Sequence, residues 1–326
     1  MVATMSAGKS TLINALIGTE LLHSANEATT ATITRIHDVD HIKQFIANTY
    51  DYQGNIVHQK ELATAESLKQ WNQDKNIKSI DLMGNIRGLT NTQSDLVIYD
   101  TPGPNNSQDD NHEELTMELV NDGNYGMILY ILNATQLGIN DDLHLLHRIK
   151  QAINTDHKKE IIFVLNKIDE IDETYESIEG IVNNAIHYLQ QQGFENPTII
   201  PCSAKAGLIA RKLIYQDKLT RSERHALHYY FSYFLSNKDN FTYSTLKAEK
   251  IAHIDTLIRQ QRSNITISVD DKHYRIADLA TVAFHSGVGI LAYLIQDKLN
   301  QPKALYNNIL RILTHVTQKN LVLFQA

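Results

Sequence analysis

Near its amino end the chain carries Val2-Ala3-Thr4-Met5-Ser6-Ala7-Gly8-Lys9-Ser10-Thr11, which fits the phosphate-binding P-loop pattern with Ala3 in the first glycine position and Gly8-Lys9-Ser10 completing it. No other stretch restricts the fold as much. Such a loop joins a strand to a helix whose first N–H groups face an anion. Leu12, Ile13, Leu16 and Ile17 recur at helical spacing, so a helix is expected from Ser10 onward. Only Met1 and Val2 precede Ala3, and the strand from which the loop hangs is therefore expected to be missing or truncated, as in a fragment.

The rest of the chain alternates strand and helix signals. Gln44–Tyr50 and Ile56–His58 flank Tyr52-Gln53-Gly54-Asn55 and predict a strand pair closed by a turn, followed by a short helix capped by Thr64 that runs through Trp71. Ile80–Met83 and Leu96–Tyr99 predict two more strands. Met127–Leu132 and Ile161–Leu165 are continuous apolar runs of strand length, as suits the interior of a parallel sheet. Leu143, Leu146, Ile149 and Ile153 predict a helix between them. Ile178, Ile181, Val182, Ala185, Ile186 and Leu189 predict another, ended by Gly193, before a strand at Thr198–Cys202. From Leu208 the pattern is mostly helical, apart from a small hairpin of Ile265–Val269 with His273–Arg275.

This order predicts the α/β class: a P-loop NTPase with a doubly wound, mostly parallel sheet, followed by a helical C-terminal region. The ligand is expected at the carboxyl ends of the strands. With 42% hydrophobic residues, 14 glycines and five prolines among 326 residues, the composition excludes bulk disorder. A net charge of −7 gives no global reason to bind nucleic acid, and no direct nucleic-acid binding is expected. The longest apolar run falls well short of the roughly 18 residues that a membrane span needs. The single cysteine, Cys202, suggests a reducing, cytoplasmic setting.

Further signals at strand ends point to a guanine nucleotide. Asp100-Thr101-Pro102-Gly103 follows a strand; its aspartate suits a Mg2+ shell through water, and its glycine N–H suits a γ-phosphate. Asn166-Lys167-Ile168-Asp169 also follows a strand, and a carboxylate there accepts two hydrogen bonds from the guanine N1–H and 2-amino group, which adenine does not offer. Ser203-Ala204-Lys205 is placed to present a backbone N–H to guanine O6. Glu27-Ala28-Thr29-Thr30-Ala31 lies where a switch threonine would meet Mg2+ and γ-phosphate.

On Ala3–Leu16, Thr29-Thr30-Ala31, Asp100-Thr101-Pro102-Gly103-Pro104-Asn105 and Thr135-Gln136-Leu137, the chain resembles the dynamin-family GTPases of the bacterial type. Ser286-Gly287-Val288-Gly289-Ile290-Leu291 extends the resemblance toward the end of such a domain. Within the family the likeness is greatest to the type associated with the replication sliding clamp. The resemblance implies a GTPase domain over residues 1–300 and the start of a helical stalk over 301–326. It also implies hydrolysis of GTP to GDP and phosphate with Mg2+, stimulated by self-association through the nucleotide face. In the full-length form it implies a membrane surface or the replication-clamp protein as partner, and peripheral membrane association. The implied catalytic residues are Lys9, Ser6, Thr30 and Gly103. Lys9 would neutralise β/γ charge, Ser6 would support charge compensation, Thr30 would position the attacking water, and Ser10, Thr30 and Asp100 would hold Mg2+. The nucleotide contacts would come from Ser6, Ala7, Gly8, Lys9, Ser10, Thr11, Asp100, Gly103, Asn166, Lys167, Asp169, Ser203, Ala204 and Lys205. Pro104 follows Gly103, so the water-orienting glutamine of Ras-like enzymes is absent. Met5 has no side-chain donor where dynamins often carry a polar residue.

Other features take plainer readings. His144/His147 and His225/His228 read as solvated helix faces rather than metal ligands. Tyr229, Tyr230, Phe231, Tyr233 and Phe234 read as helix packing. Lys247, Lys250, Arg259 and Arg262 read as a solvated basic face, and Cys202 as an inert core thiol. Two other functions compete with GTP hydrolysis: a nucleotide-dependent scaffold with little turnover, and a Ras-like ribosome-associated GTPase, which the acidic balance disfavours.

Overall fold

The computed structural model describes residues 1–3, 6–23, 32–90, 95–101, 111–122, 125–138, 140–154 and 160–299. The first half of the chain forms β1 (Val2–Ala3), α1 (Lys9–Ile17), β2 (Ile33–Asp38), β3 (Ile46–Tyr50), β4 (Ile56–Leu62), α2 (Ala65–Gln73), β5 (Ser79–Gly84) and β6 (Val97–Asp100). Next come α3 (Asn111–Asp122), β7 (Met127–Asn133), α4 (Asn140–Asn154), β8 (Glu160–Asn166), α5 (Ile178–Gln191), β9 (Thr198–Cys202) and α6 (Ala204–Ile214). The helical remainder comprises α7 (Arg221–Ser236), α8 (Ala248–Arg259), a β10 (Thr266–Val269) and β11 (Lys272–Arg275) hairpin, α9 (Ile276–His285) and α10 (Val288–Lys298).

The apolar runs at 127–133, 160–166 and 198–202 become parallel neighbours in a sheet ordered β1-β7-β8-β9. Their centres are buried on both faces, which is why these strands read as continuous hydrophobic stretches rather than alternating ones. Tyr130, Phe163 and Phe194 pack as a tilted and edge-on aromatic series on one face of this sheet. α1 lies on the opposite face with Leu12, Ile13, Leu16 and Ile17 completely buried; full burial of each such side chain contributes roughly 1.5–3 kcal/mol.

Strands β2 to β6 form a mixed sheet ordered β4-β3-β5-β2-β6, in which only the β2–β5 pair is parallel, and β10 and β11 pair with each other alone. The fold is thus a mixed α/β domain with a parallel sheet and ten α-helices among the described residues. β1 is two residues long and pairs with β7 through Val2↔Tyr130 and Ala3↔Ile131. Its contact with β6 consists of the Met1 amine donating to Tyr99 O and Thr101 Oγ1 donating to Met1 O at 2.9 Å. A cavity of about 440 Å³ opens beside this seam between Val97–Tyr99 and Met127–Leu129, closed at one end by Ile295 and Leu299.

Sequence patterning did not predict β2 or α3. β2 turns Thr34, Ile36 and Asp38 inward, so its buried face is largely polar and leaves no hydrophobic alternation to read. Among the described residues no single helix is long and apolar enough to cross a membrane. α9 and α10 would satisfy that test only as a pair, but they meet at a bend of 80° and are largely buried against the sheet and α6.

Candidate nucleotide site

The described part of the P-loop carries two left-handed residues, Ser6 (φ 62°) and Gly8 (φ 84°), which curl the backbone ahead of α1. Only glycine fits at position 8. Besides the positive φ, a Cβ there would lie 2.4 Å from Nδ2 of Asn166. That close approach is functional in form: Asn166 Nδ2 donates to Ala7 O at 2.8 Å, and Asn166 Oδ1 accepts from Ala204 N at 2.9 Å. One buried carboxamide at the end of β8 thereby joins the phosphate loop to the loop after β9.

The strand ends deliver the remaining base-side groups to the same edge. Lys167 takes the left-handed conformation (φ 70°) and opens a single 3-10 turn over Ile168–Glu170, which carries Asp169. Ser203 caps α6 by accepting from Ala206 N at 3.1 Å, while its own N–H donates to Ser286 O at 2.8 Å. With the N–H groups of Ser203, Ala204 and Ala206 engaged, the Lys205 N–H is the first-turn donor that makes no hydrogen bond among the described residues. Gly287, between α9 and α10, has φ 85° and sits so close that a Cβ would lie 2.2 Å from Pro201 O and 3.0 Å from Cys202 Cα. The Ser286-Gly287-Val288 stretch therefore abuts the last strand directly behind the base-side turn.

The phosphate side is built of charges. Lys9 Nζ donates to Asp100 Oδ1 and to Thr101 O, all within the buried interior. The Met1 amine lies close by, and burial, reinforced by Lys9, lowers its pKa from 8.0 to about 5. Ser10 and Asp100 line one small recess together with Leu22, His23 and Lys69. A hydroxyl and a carboxylate sharing a recess at the end of a P-loop are hard oxygen donors of the kind Mg2+ takes when phosphate oxygens and water complete the shell. No group of three or more His, Cys, Asp or Glu residues able to hold a metal occurs among the described residues. Thr30 and Gly103, like Thr4, Met5, Pro104 and residues 301–326, lie outside the described residues.

The structure brings Ser6, Ala7, Gly8, Lys9, Ser10 and Thr11 together with Asp100, Asn166, Lys167, Asp169, Ser203, Ala204 and Lys205 at one edge of the parallel sheet. Two groups escaped the sequence reading. Tyr230 on α7 donates its hydroxyl to Asp169 Oδ2 at 2.9 Å, and the Ser286 carbonyl holds Ser203. An aromatic residue sixty positions away in a helix carries no local signal for the first, and a backbone acceptor carries no side-chain signal for the second. Of the histidines read as solvated, His144 pairs with Glu113 at 2.9 Å and His147 with Gln192 at 2.9 Å.

The family model of the dynamin family matches residues 1–168. No curated protein matches the sequence. Two of the solved structures to which this chain is similar align with 99% of it, both of an oligomerised bacterial dynamin pair described as providing a mechanism for the long-range sensing and tethering of membranes. One is 16% identical with a TM-score of 0.47, and the other 13% identical with a TM-score of 0.41. This chain spans 46% and 61% of their lengths. With the family model covering more than half of its residues, the chain belongs to the dynamin family.

Proposed function

We propose that the chain binds GTP with Mg2+ and hydrolyses it to GDP and phosphate as a dynamin-like assembly or conformational switch. The observation that carries this reading is the Asn166 bridge, which ties the phosphate loop at Ala7 to the base-side turn at Ala204 and so fixes the distance between the two ends of a nucleotide. At the base end Asp169 receives the guanine N1–H and 2-amino group, and the Lys205 N–H faces O6. Adenine would leave the carboxylate unpaired and meet the N–H with another donor. At the phosphate end Lys9 exchanges Asp100 and Thr101 O for the β/γ-phosphate oxygens, with Ser6 and the P-loop N–H groups beside it. Ser10, Thr30 and, through water, Asp100 would hold Mg2+, which would supply charge neutralisation to the phosphates. Thr30 orients the attacking water, and the Gly103 N–H faces the γ-phosphate.

Residues 1–300 are assigned to the GTPase domain and 301–326 to the start of a stalk. Self-association is placed on the nucleotide face, where a second copy would cover the phosphate end. Vesicle flotation and pull-down on the sliding clamp separate a membrane partner from a clamp partner.

Calorimetry with GTP and ATP in the presence of Mg2+ tests the site: binding of GTP with at least tenfold preference over ATP is expected, and equal affinities overturn the reading. Single-turnover phosphate release with Lys9→Ala as control tests the chemistry. A second reading, a nucleotide-dependent scaffold, is favoured by one observation: Lys9 is already neutralised by Asp100, so binding must break a buried ion pair before the lysine serves the phosphates. GTP binding without Lys9-dependent turnover selects the scaffold.

A further inference from the structure

α7 approaches the base end of the site from outside the sheet, with two of its hydroxyls on two carboxylates of the loop after β8. Tyr230 donates to Asp169 Oδ2 at 2.9 Å, and Tyr233, one helical turn along, donates to Glu173. The tyrosine ring at 230 is buried at 7% exposure, packed between Tyr229 and Phe234. α7 is itself fixed by a capping box at Thr220 and Glu223, and its carboxyl end is held by the Phe234 carbonyl accepting from His285 Nδ1 at 2.7 Å. The hydroxyl at 230 therefore comes from a rigid element, whereas Asp169 sits on one turn of 3-10 helix.

We propose that Tyr230 is a positioning residue for base selection, locking the Asp169 carboxylate in the orientation that reads the guanine edge. The inference rests on Asp169 being the base reader. A carboxylate offers about four lone-pair sites, so one bond from Tyr230 leaves both oxygens able to accept from N1–H and the 2-amino group. What the bond removes is rotation of the carboxylate plane, which a two-point contact to guanine requires and a one-point contact does not. The donor also stays a donor: burial and the neighbouring Asp169 charge both push the Tyr230 hydroxyl pKa well above its ordinary value.

The experiment uses the whole chain and measures affinity for GTP and for ITP, which lacks the 2-amino group. In Tyr230→Phe the freed carboxylate keeps one contact more easily than two, so GTP affinity is expected to fall about fivefold to tenfold and the GTP/ITP ratio to shrink by at least threefold. Leu227→Ala, which loosens the same helix at a buried position away from the Tyr230 ring contacts, is expected to lower the Tm and leave the ratio unchanged. In an Asp169→Asn background Tyr230→Phe is expected to leave the GTP/ITP ratio where the single Asn variant puts it, as coupling through one pair requires. Equal losses for GTP and ITP in Tyr230→Phe, or an equal change of ratio in Leu227→Ala, reduce Tyr230 to packing and overturn the proposal. If Asp169→Asn alone leaves GTP affinity unchanged, the base-reading assignment itself fails, and the proposal fails with it.

Discussion

The two ends of the site are assembled by different means. At the base end, neutral buried groups satisfy one another: Asn166 spans Ala7 and Ala204, Ser203 spans Ser286 and Ala206, and Gly287 lets α10 begin against the backbone of β9. At the phosphate end, charges satisfy one another: Lys9 on Asp100, with the Met1 amine beside them and a cavity behind. Directional neutral contacts with no alternative partners make a rigid cradle, whereas an ion pair whose members both have a future ligand makes an exchangeable one. On the proposed reading, recognition of the base would be built in before any nucleotide arrives, and the phosphate end would rearrange when it does.

The most damaging single test of the rigid end is Gly287→Ala. The left-handed φ strains any β-carbon, and the atoms it would meet are backbone, so a loss of about 4 kcal/mol or outright failure to fold is expected in urea denaturation. Asn166→Ala comes next, stranding the Ala7 carbonyl and the Ala204 N–H together, with an expected cost of about 2–4 kcal/mol by the same measurement. A cost under about 0.5 kcal/mol would show that water replaces the carboxamide freely and that the base end is not rigid in the sense argued here. Lys9→Ala should cost less, about 2 kcal/mol, since Asp100 borders a recess that admits water in place of the lost partner; it should abolish nucleotide binding while amide exchange at Ala204 stays as slow as before.

A further expected effect concerns pH. Burial raises the Asp38 carboxyl from 3.8 to about 7 despite the Ile86 N–H donating to it at 2.8 Å. The folded chain therefore holds more protons than the unfolded one between those values, and stability falls as pH rises from about 4 to 7. Asp38→Asn should flatten that fall in urea titrations at each pH, and an unchanged profile in that variant would remove the Asp38 carboxyl from the account.

Legibility in the sequence followed the same division, though not in the same direction. The phosphate end was readable because the P-loop and Asp100-Thr101-Pro102-Gly103 are short local patterns. Asn166 and Asp169 were readable as a motif, but the bridge that makes Asn166 structural was not, because its partners are main-chain atoms 159 and 38 residues away. The parallel strands declared themselves by continuous apolar runs, while β2 stayed hidden behind buried Thr34 and Asp38. The division into a parallel and a mixed sheet at the β1/β6 seam also lay beyond reach, since pairing is a property of register between distant segments.

The lone thiol of Cys202 completes β9, wholly enclosed, with burial and the nearby Asp169 charge raising its pKa well above the ordinary range. A group so shielded reacts with an alkylating reagent only in the moments when β9 parts from its neighbours. Its modification rate is therefore an intrinsic clock for the breathing of one strand, readable by mass spectrometry without introducing any label.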